Sequence, residues 1–479
     1  MKSYCRTIHP ELASWQKNGT VILGGGLAGL SSGFVFVRAG QPVMVVESDS
    51  AVGGLSKTVV KGEFRFDLGG HRFLTKNEKI ENFVRDLLKG DFLTVSRKSK
   101  IYMYNKFFDY PLKPSNAIFG LGISTTLKVI ADYSKEKIRN FFITPSNVSL
   151  EDWVVSNFGR TMFNLYFKEY SEKVWGIESR RISKEWVAQR ISGLSLWTAM
   201  KNAFFKFSGK DIDTLAGKFI YPSMGIGDIS DRLSEEIEKE NPVLTNTRVT
   251  QINHSDYVVR NIVARNCAKI YDVEGKEFIS SIPLPNLIRM LNPPAPDDII
   301  EAASRLKYRA IVIVVIMLNR ESVTDLTWMY LPEKDIPIGR IHEPKNWSPN
   351  MAPHGKTHIV AEYFCFEGDN VWNSSDNEII SVTIKQLTRL GFIRESEVID
   401  SCVVKGPRAY PLFEIGYEEH YNKIIRYLKN FKNLHIIGRS GMFRYYNMDH
   451  TIESGIEVAE NILKKSGVTK QKDSQLIGA

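Results

Sequence analysis

Three glycines, Gly24, Gly26 and Gly29, follow the apolar run Val21–Leu23 in the order G-x-G-x-x-G, with Leu27 and Ala28 between the last two, and Glu47 closes the next apolar run. Glycines at this spacing let a backbone turn tightly and approach a pyrophosphate. The free N–H groups and dipole of the helix that follows favour its negative charge. An acid about 20 residues further on suits a ribose hydroxyl, so this unit is expected to bind a dinucleotide. A second polar concentration lies near the other end. The stretch GRSGMFRYYNMDH, Gly438 to His450, sets Arg439, Tyr445, Tyr446, Met448 and Asp449 at the mouth of an amphipathic run that reaches Leu463. An aspartate in that place is expected to N-cap the helix.

The elements that must position these residues can be read from periodicity. TVILGGGLAGLSSGFVFVRAGQPVMVVESD reads as strand, glycine turn, helix and strand, a βαβ unit. From Asn77 to about Lys218 apolar residues recur at spacings of three and four, and this span is expected to be mainly helical. Short strands with turn residues follow, including AIVIVVIML at Ala310–Leu318, too short to cross a bilayer and read as a buried strand. NLHIIGRS then gives a short strand leading into the polar cluster and a closing helix.

With 479 residues, 43% of them hydrophobic and 24% charged, the chain has material for two or three domains, and wholesale disorder is excluded. Lys and Arg outnumber Asp and Glu by 63 to 54, which favours acidic partners. No nucleic-acid module accompanies that charge, so a small anionic substrate is expected and nucleic acid is not. Four scattered cysteines without C-x-x-C spacing offer neither a metal site nor a disulfide framework and point to a reducing compartment. The N-terminus lacks the apolar segment of a signal peptide. A cytoplasmic protein with no integral membrane association is expected, and a homo-oligomer is compatible with all of this.

SDSAVGGLSKT places Gly53, Gly54 and Leu55 just after Glu47 and Ser48, and this resembles the second glycine pair of FAD proteins in the amine oxidase and protoporphyrinogen oxidase superfamily. The resemblance implies an α/β fold: a Rossmann-like, three-layer FAD-binding domain with a parallel sheet, an inserted helical domain and a sheet-rich substrate domain. In that superfamily the chain returns to the FAD domain twice. The implied spans are 1–75, 221–290 and 431–470 for FAD, 76–220 for the helical substrate or lid domain, 291–430 for the sheet-rich domain and 471–479 for a flexible tail. Val249 then reads either as facing the adenine or as a core strand residue.

Further segments, in order along most of the chain, resemble the UDP-galactopyranose mutases. FDLGGHRFLTKN resembles the loop that brings Gly70 and His71 beside the flavin, and KVWGIESRRISKEWVAQR the segment holding Trp175 and a site arginine, Arg190. YPSMGIGDISDRL is similar to the stretch that enters an FAD-domain helix. IPIGRIHEPKNW resembles the segment whose arginine, here Arg340, meets a diphosphate. GRSGMFRYYNMDH resembles the family's finish, which implies Gly438 and Arg439 near the flavin pyrophosphate, Tyr445 and Tyr446 toward substrate phosphates, and Met448 and Asp449 near the isoalloxazine. Tyr410, in PRAYPL, is a further phosphate tyrosine. Trp175 reads either as lining a sugar pocket or as anchoring the helical insert.

What this implies is a nucleotide-sugar mutase serving cell-surface glycan synthesis, which interconverts pyranose and furanose rings. Reduced FAD attacks the anomeric carbon through N5, expels the nucleotide diphosphate and carries the sugar as a flavin-sugar adduct while the ring opens and recloses. NAD(P)H is an electron donor the reading allows. Arginine forks match phosphate oxygens and phenols add neutral donors, which suits Arg190, Arg340 and the tyrosines. His71, an imidazole that ordinarily titrates near neutrality, would tune the flavin. The rival reading is an FAD-dependent oxidase, dehydrogenase or desaturase of the same superfamily, with an apolar or amine-binding cavity in place of a cationic one.

Overall fold

The computed structural model describes residues 18–110, 122–143, 148–185, 217–266 and 269–468. The strand Thr20–Leu23 lies at the centre of a five-stranded parallel sheet, between Val43–Val46 and Glu277–Ser280, with Val243–Leu244 and Leu434–Ile436 at the edges. Three separated stretches of chain therefore build one sheet. Both faces are covered, which is why these strands read as unbroken apolar runs. Ile22, Val45 and Ile279 point into a core shared with the helices Leu27–Arg38, Asp228–Glu238 and Met448–Lys465. Val21, Leu23, Met44 and Phe278 point the other way, into a core shared with the antiparallel strands Arg248–Ser255 and Val258–Asn266 and the helix Tyr417–Leu428. The result is the mixed α/β, three-layer fold with a parallel sheet that the sequence implies. Ser31 in the glycine-turn helix donates to the Ile452 carbonyl at 3.1 Å, fastening it to the closing helix Met448–Lys465.

A second sheet of seven strands contains the long strand Tyr308–Leu318, second from one edge and paired antiparallel with Thr357–Cys365 and with the edge strand Val398–Pro411. Its alternate residues serve two cores: Val312, Val314 and Ile316 meet the helix Asp376–Arg389, whereas Ile311, Ile313 and Val315 meet Phe64 and Phe66. The span 76–220 differs from its expected helical character. It does contain the helices Glu78–Leu88, Ile123–Phe142, Leu150–Phe158 and Lys168–Trp175. It also contributes Ser99–Met103 and Lys106–Tyr110 to the far edge of the seven-stranded sheet, and Phe92–Ser96 pairs with Lys218–Pro222. The cause is local: Tyr104 and Asn105 both take left-handed backbone angles, a hairpin turn that the three-and-four spacing elsewhere in the span masks.

Candidate active site

Between the parallel sheet and the seven-stranded sheet runs a cleft of about 460 Å³. One end is backbone. Gly24 turns at φ +110°, where a side chain would also strike Ser281 Oγ, and a Cβ on Gly29 would stand 2.0 Å from the Gly24 carbonyl oxygen. Only glycine fits either place. Glu47 is buried at the end of its strand and accepts from Gly25 N and Asp49 N, both at 2.7 Å, and from the Ser48 hydroxyl at 3.2 Å. The acid thus braces the glycine turn as well as facing the cleft. Gly24, Gly26, Leu27, Ala28, Glu47, Gly54 and Leu55 all line the cleft. Gly29 and Ser48 stand behind it as support.

The other end is built from side chains. Arg340 and Glu362 are directly opposite on paired strands, and the guanidinium grips the carboxylate with two forks, Nε to Oε1 at 2.7 Å and Nη2 to Oε2. Gly70 N donates to Glu362 at 3.1 Å, and His342 Nδ1 lies 3.4 Å from the same oxygen. Burial alone would raise the Glu362 carboxyl, but the Arg340 charge, the nearby His342 ring and the hydrogen bonds from Arg340 outweigh it and hold it down at about 2. Burial likewise opposes the Arg340 charge, and Glu362 reverses that, so the guanidinium stays charged.

Next to this pair, the Arg439 guanidinium lies against two rings, 4.7 Å from the centre of Tyr410 and 4.6 Å from that of Tyr445, which are themselves stacked at 6.2 Å. One nitrogen donates to the Tyr446 carbonyl at 3.3 Å, while Nε and Nη2 are buried without a hydrogen-bond partner. Two orphaned donors beside a cleft fit an anionic oxygen of a ligand. Burial, ahead of the opposing Arg340 charge, pushes the Tyr410 phenol up to about 12, so it remains a donor.

His71 lines the cleft, but its titration departs from the range near neutrality that an imidazole ordinarily has. The ring is open to the cleft yet deep enough that burial pushes it down to about 4; the Glu362 charge pulls it up, and Arg340 and Arg439 oppose that. It is neutral near pH 7 and cannot titrate there. Asp449 departs too. The helix begins at Met448 after the N-cap Asn447, which places Asp449 in the first turn, 3.1 Å from His450 Nδ1. Burial would raise its carboxyl, and His450 outweighs that and holds it below the usual range. It sits beside the positive end of the helix without capping it.

The remaining assignments divide. Gly70, His71, Arg340, Tyr410, Gly438, Arg439, Tyr445, Tyr446 and Met448 line the cleft; Asp449 does not. Trp175 is fully buried among the helices, its ring 6.5 Å from Tyr410 and 6.1 Å from Tyr445, so it backs the stacked tyrosines from behind. Val249 is buried in the core under the parallel sheet, with Ala264 and Ile252, and is not a lining residue. Arg190 lies outside the described residues, as does the tail 471–479.

Several supporting residues escaped the sequence reading. Glu362 is the one charge in the buried strand THIVAEYFC, and a lone acid in such a run is the signal that could have found it. Asp67, just before the glycines of the His71 loop, accepts from Thr58 Oγ1 and Tyr221 OH, both at 2.6 Å, and from Ile226 N at 3.2 Å. Burial pushes it up to about 6 against those bonds. It ties the His71 loop to the turn that opens the helix Asp228–Glu238. Arg309 donates to the Val174 and Lys173 carbonyls at 2.9 and 3.2 Å, capping the helix that ends at Trp175.

Comparison with known proteins fixes the family. The model of flavin-containing amine oxidoreductases matches residues 27–463. The chain belongs to the flavin-containing amine oxidoreductase family. Among curated relatives, this amine oxidoreductase is 22% identical over 448 residues to the coproporphyrinogen III oxidase of Bacillus subtilis (strain 168), covering 85% of this chain and 90% of that protein. Among solved structures it is similar to a reduced UDP-galactopyranose mutase, with a TM-score of 0.81 at 19% identity over 96% of both chains. It is also similar to the cyclohexylamine oxidase of Brevibacterium oxydans IH-35A, with a TM-score of 0.66 at 12% identity over 94% and 99%. These structural likenesses establish the fold. The family implies FAD, and the cleft fits it: the Gly26 Cα has open space in front of it, Glu47 faces the same space, and the Arg439 donors await an acceptor. Among the described residues no helix is long and apolar enough to cross a membrane.

Proposed function

We propose that this flavoenzyme is a nucleotide-sugar mutase of the UDP-galactopyranose mutase type, acting with reduced FAD, for which NAD(P)H is one electron donor the reading allows. The observation that carries the reading is the convergence of Arg340, Tyr410 and Tyr445 at one end of the cleft, with Arg439 beside them on the side of the FAD pyrophosphate. A wall of guanidinium and phenol donors suits a diphosphate. It would repel the cationic amine that an amine oxidase must admit.

FAD, when bound, would supply a nucleophile for the anomeric carbon and carry no net redox change through the reaction. The chain's own residues do the rest. The Gly24–Gly29 turn, braced by Gly25 N donating to Glu47, sets the nucleotide half of the cofactor at the N-terminus of the helix Leu27–Arg38. Arg340, kept in plane by Glu362, and the stacked phenols orient the leaving diphosphate. Neutral His71 donates or accepts one hydrogen bond at the flavin without adding charge. Arg190 is assigned to the same diphosphate, and Tyr446, with Tyr445, to the substrate phosphates.

The curated relative named for coproporphyrinogen III oxidation supports a second reading, an FAD-dependent oxidoreductase. One experiment separates the two. Purified protein, oxidised and dithionite-reduced, is incubated with a panel of nucleotide sugars and the products are resolved by chromatography. The mutase reading expects a ring isomer only from reduced protein, lost in Arg340→Ala with FAD retained. Turnover of an amine or porphyrinogen by the oxidised protein with peroxide release would replace it.

A further inference from the structure

The helix Ile123–Phe142 presents an apolar face to solvent. Leu127, Ile130, Ile138 and Phe141 recur at spacings that set them on one side of a helix, and Phe142 and Ile143 extend the patch past its end. Phe141 and Phe142 are 84% and 77% exposed. The opposite side is the one that packs: Val129 is buried, Asn140 donates to the Ser156 carbonyl at 2.7 Å, and Asp132 accepts from Thr161 N at 3.0 Å. The outward stripe, Leu127 to Phe142, is about 22 Å long at the ordinary helical rise. Single exposed apolar side chains need no explanation, but two apolar clusters on one face, Leu127 with Ile130 and Ile138 with Phe141, separated by exposed Ala131 and Ser134, do.

The charges beside the stripe indicate what it meets. At 100° per residue, Lys128, Lys135 and Arg139 fall along one flank and Lys137 along the other. The helix has two carboxylates, and neither is on that face: Asp132 is turned to Thr161, and Glu136 is 12% exposed and paired with Arg139. An apolar stripe with cations on both flanks matches the interior edge and anionic headgroups of a lipid surface. Pairing with a second copy of the same face would set cation against cation in either orientation, with no acid to offset them. We propose that this helix lies flat on an anionic membrane surface and docks the enzyme there peripherally, with Phe141 and Phe142 inserted at the acyl boundary. No cleft residue belongs to the face, so docking is independent of the reaction catalysed.

The test uses the full chain with FAD bound, sedimented with vesicles of phosphatidylcholine alone or of equal parts phosphatidylcholine and phosphatidylglycerol. Pelleting with the anionic vesicles is expected, about tenfold weaker with the neutral ones and reversed by high salt. Phe141→Asp/Phe142→Asp should abolish it with flavin content and melting temperature unchanged. Lys128→Glu/Lys135→Glu should weaken it on anionic vesicles alone. The proposal is overturned by an absence of pelleting on either vesicle, or by pelleting that neither double variant alters. A concentration-dependent dimer that Phe141→Asp/Phe142→Asp dissolves would make the face a self-interface. A lower melting temperature in that variant would show that the chain itself covers the face. Either result also overturns membrane docking.

Discussion

The glycine end of the cleft and its arginine end are built by different means. At the first, Gly24, Gly26, Gly29 and Glu47 belong to one βαβ unit, and the turn is held by its own backbone, with Gly25 N donating to Glu47 just before the helix Leu27–Arg38. At the second, Arg340, Tyr410, Arg439 and Tyr445 arrive from three separated segments, and their directions depend on Glu362, His342 and Trp175, which do not line the cleft. A backbone site is rigid and intolerant of added atoms. A side-chain site is adjustable, and its weak points lie in its supports.

The comparison is broken most severely by Gly29→Ala. The added methyl would stand 2.0 Å from the Gly24 carbonyl oxygen, and neither backbone can yield without opening the turn. Loss of FAD is expected, read as colourless protein on purification and no flavin released on heating. At the other end, Glu362→Ala leaves Arg340 buried without its counter-charge, at a cost of about 3–5 kcal/mol in denaturant unfolding. Adding Arg340→Ala to that variant should recover part of the loss, because the unpaired charge goes with it. Truncation behind the stack, Trp175→Ala, is expected to cost about 3–5 kcal/mol and to loosen the tyrosines, seen as a raised KM.

How much of this could be read in advance follows the same division. The glycine end was legible because its spacing is local and each residue type is dictated by the turn. Arg340 and Tyr410 were legible only through resemblance, since nothing near either residue says what it will face. Glu362 was hidden because a cross-strand partner is chosen by register, which sequence spacing does not reveal. The neutrality of His71 and the place of Asp449 inside the helix, after Asn447, depend on burial and on a two-residue difference in where the helix begins. The strands Ser99–Met103 and Lys106–Tyr110 were submerged in a span whose remaining segments carry helical spacing.

Smaller effects sharpen the contrast through pH. Glu362 is held at about 2 in the fold against roughly 4.3 in an unfolded chain, so it binds fewer protons when folded. The stability it contributes is present above about pH 4 and is lost as pH falls from there toward 2. Asp67, raised to about 6, runs the other way: its contribution is present below about pH 4 and declines as pH rises through 6. Asp67→Asn should flatten the stability profile between those values, measured by urea unfolding at each pH. The smallest change is expected from Tyr410→Phe, which keeps the stack on Arg439 and removes one hydroxyl: about 1 kcal/mol in substrate binding, roughly a fivefold rise in KM.

The claim that the arginine end receives a diphosphate is tested most directly by titrating the anaerobic, FAD-loaded protein with uridine diphosphate and, separately, with an aliphatic amine, while following the flavin spectrum. The account expects uridine diphosphate to shift the spectrum saturably, with affinity reduced at least about tenfold in Arg340→Ala, and expects the amine to leave the flavin oxidised. Bleaching of the flavin by the amine, with no response to uridine diphosphate, would contradict it.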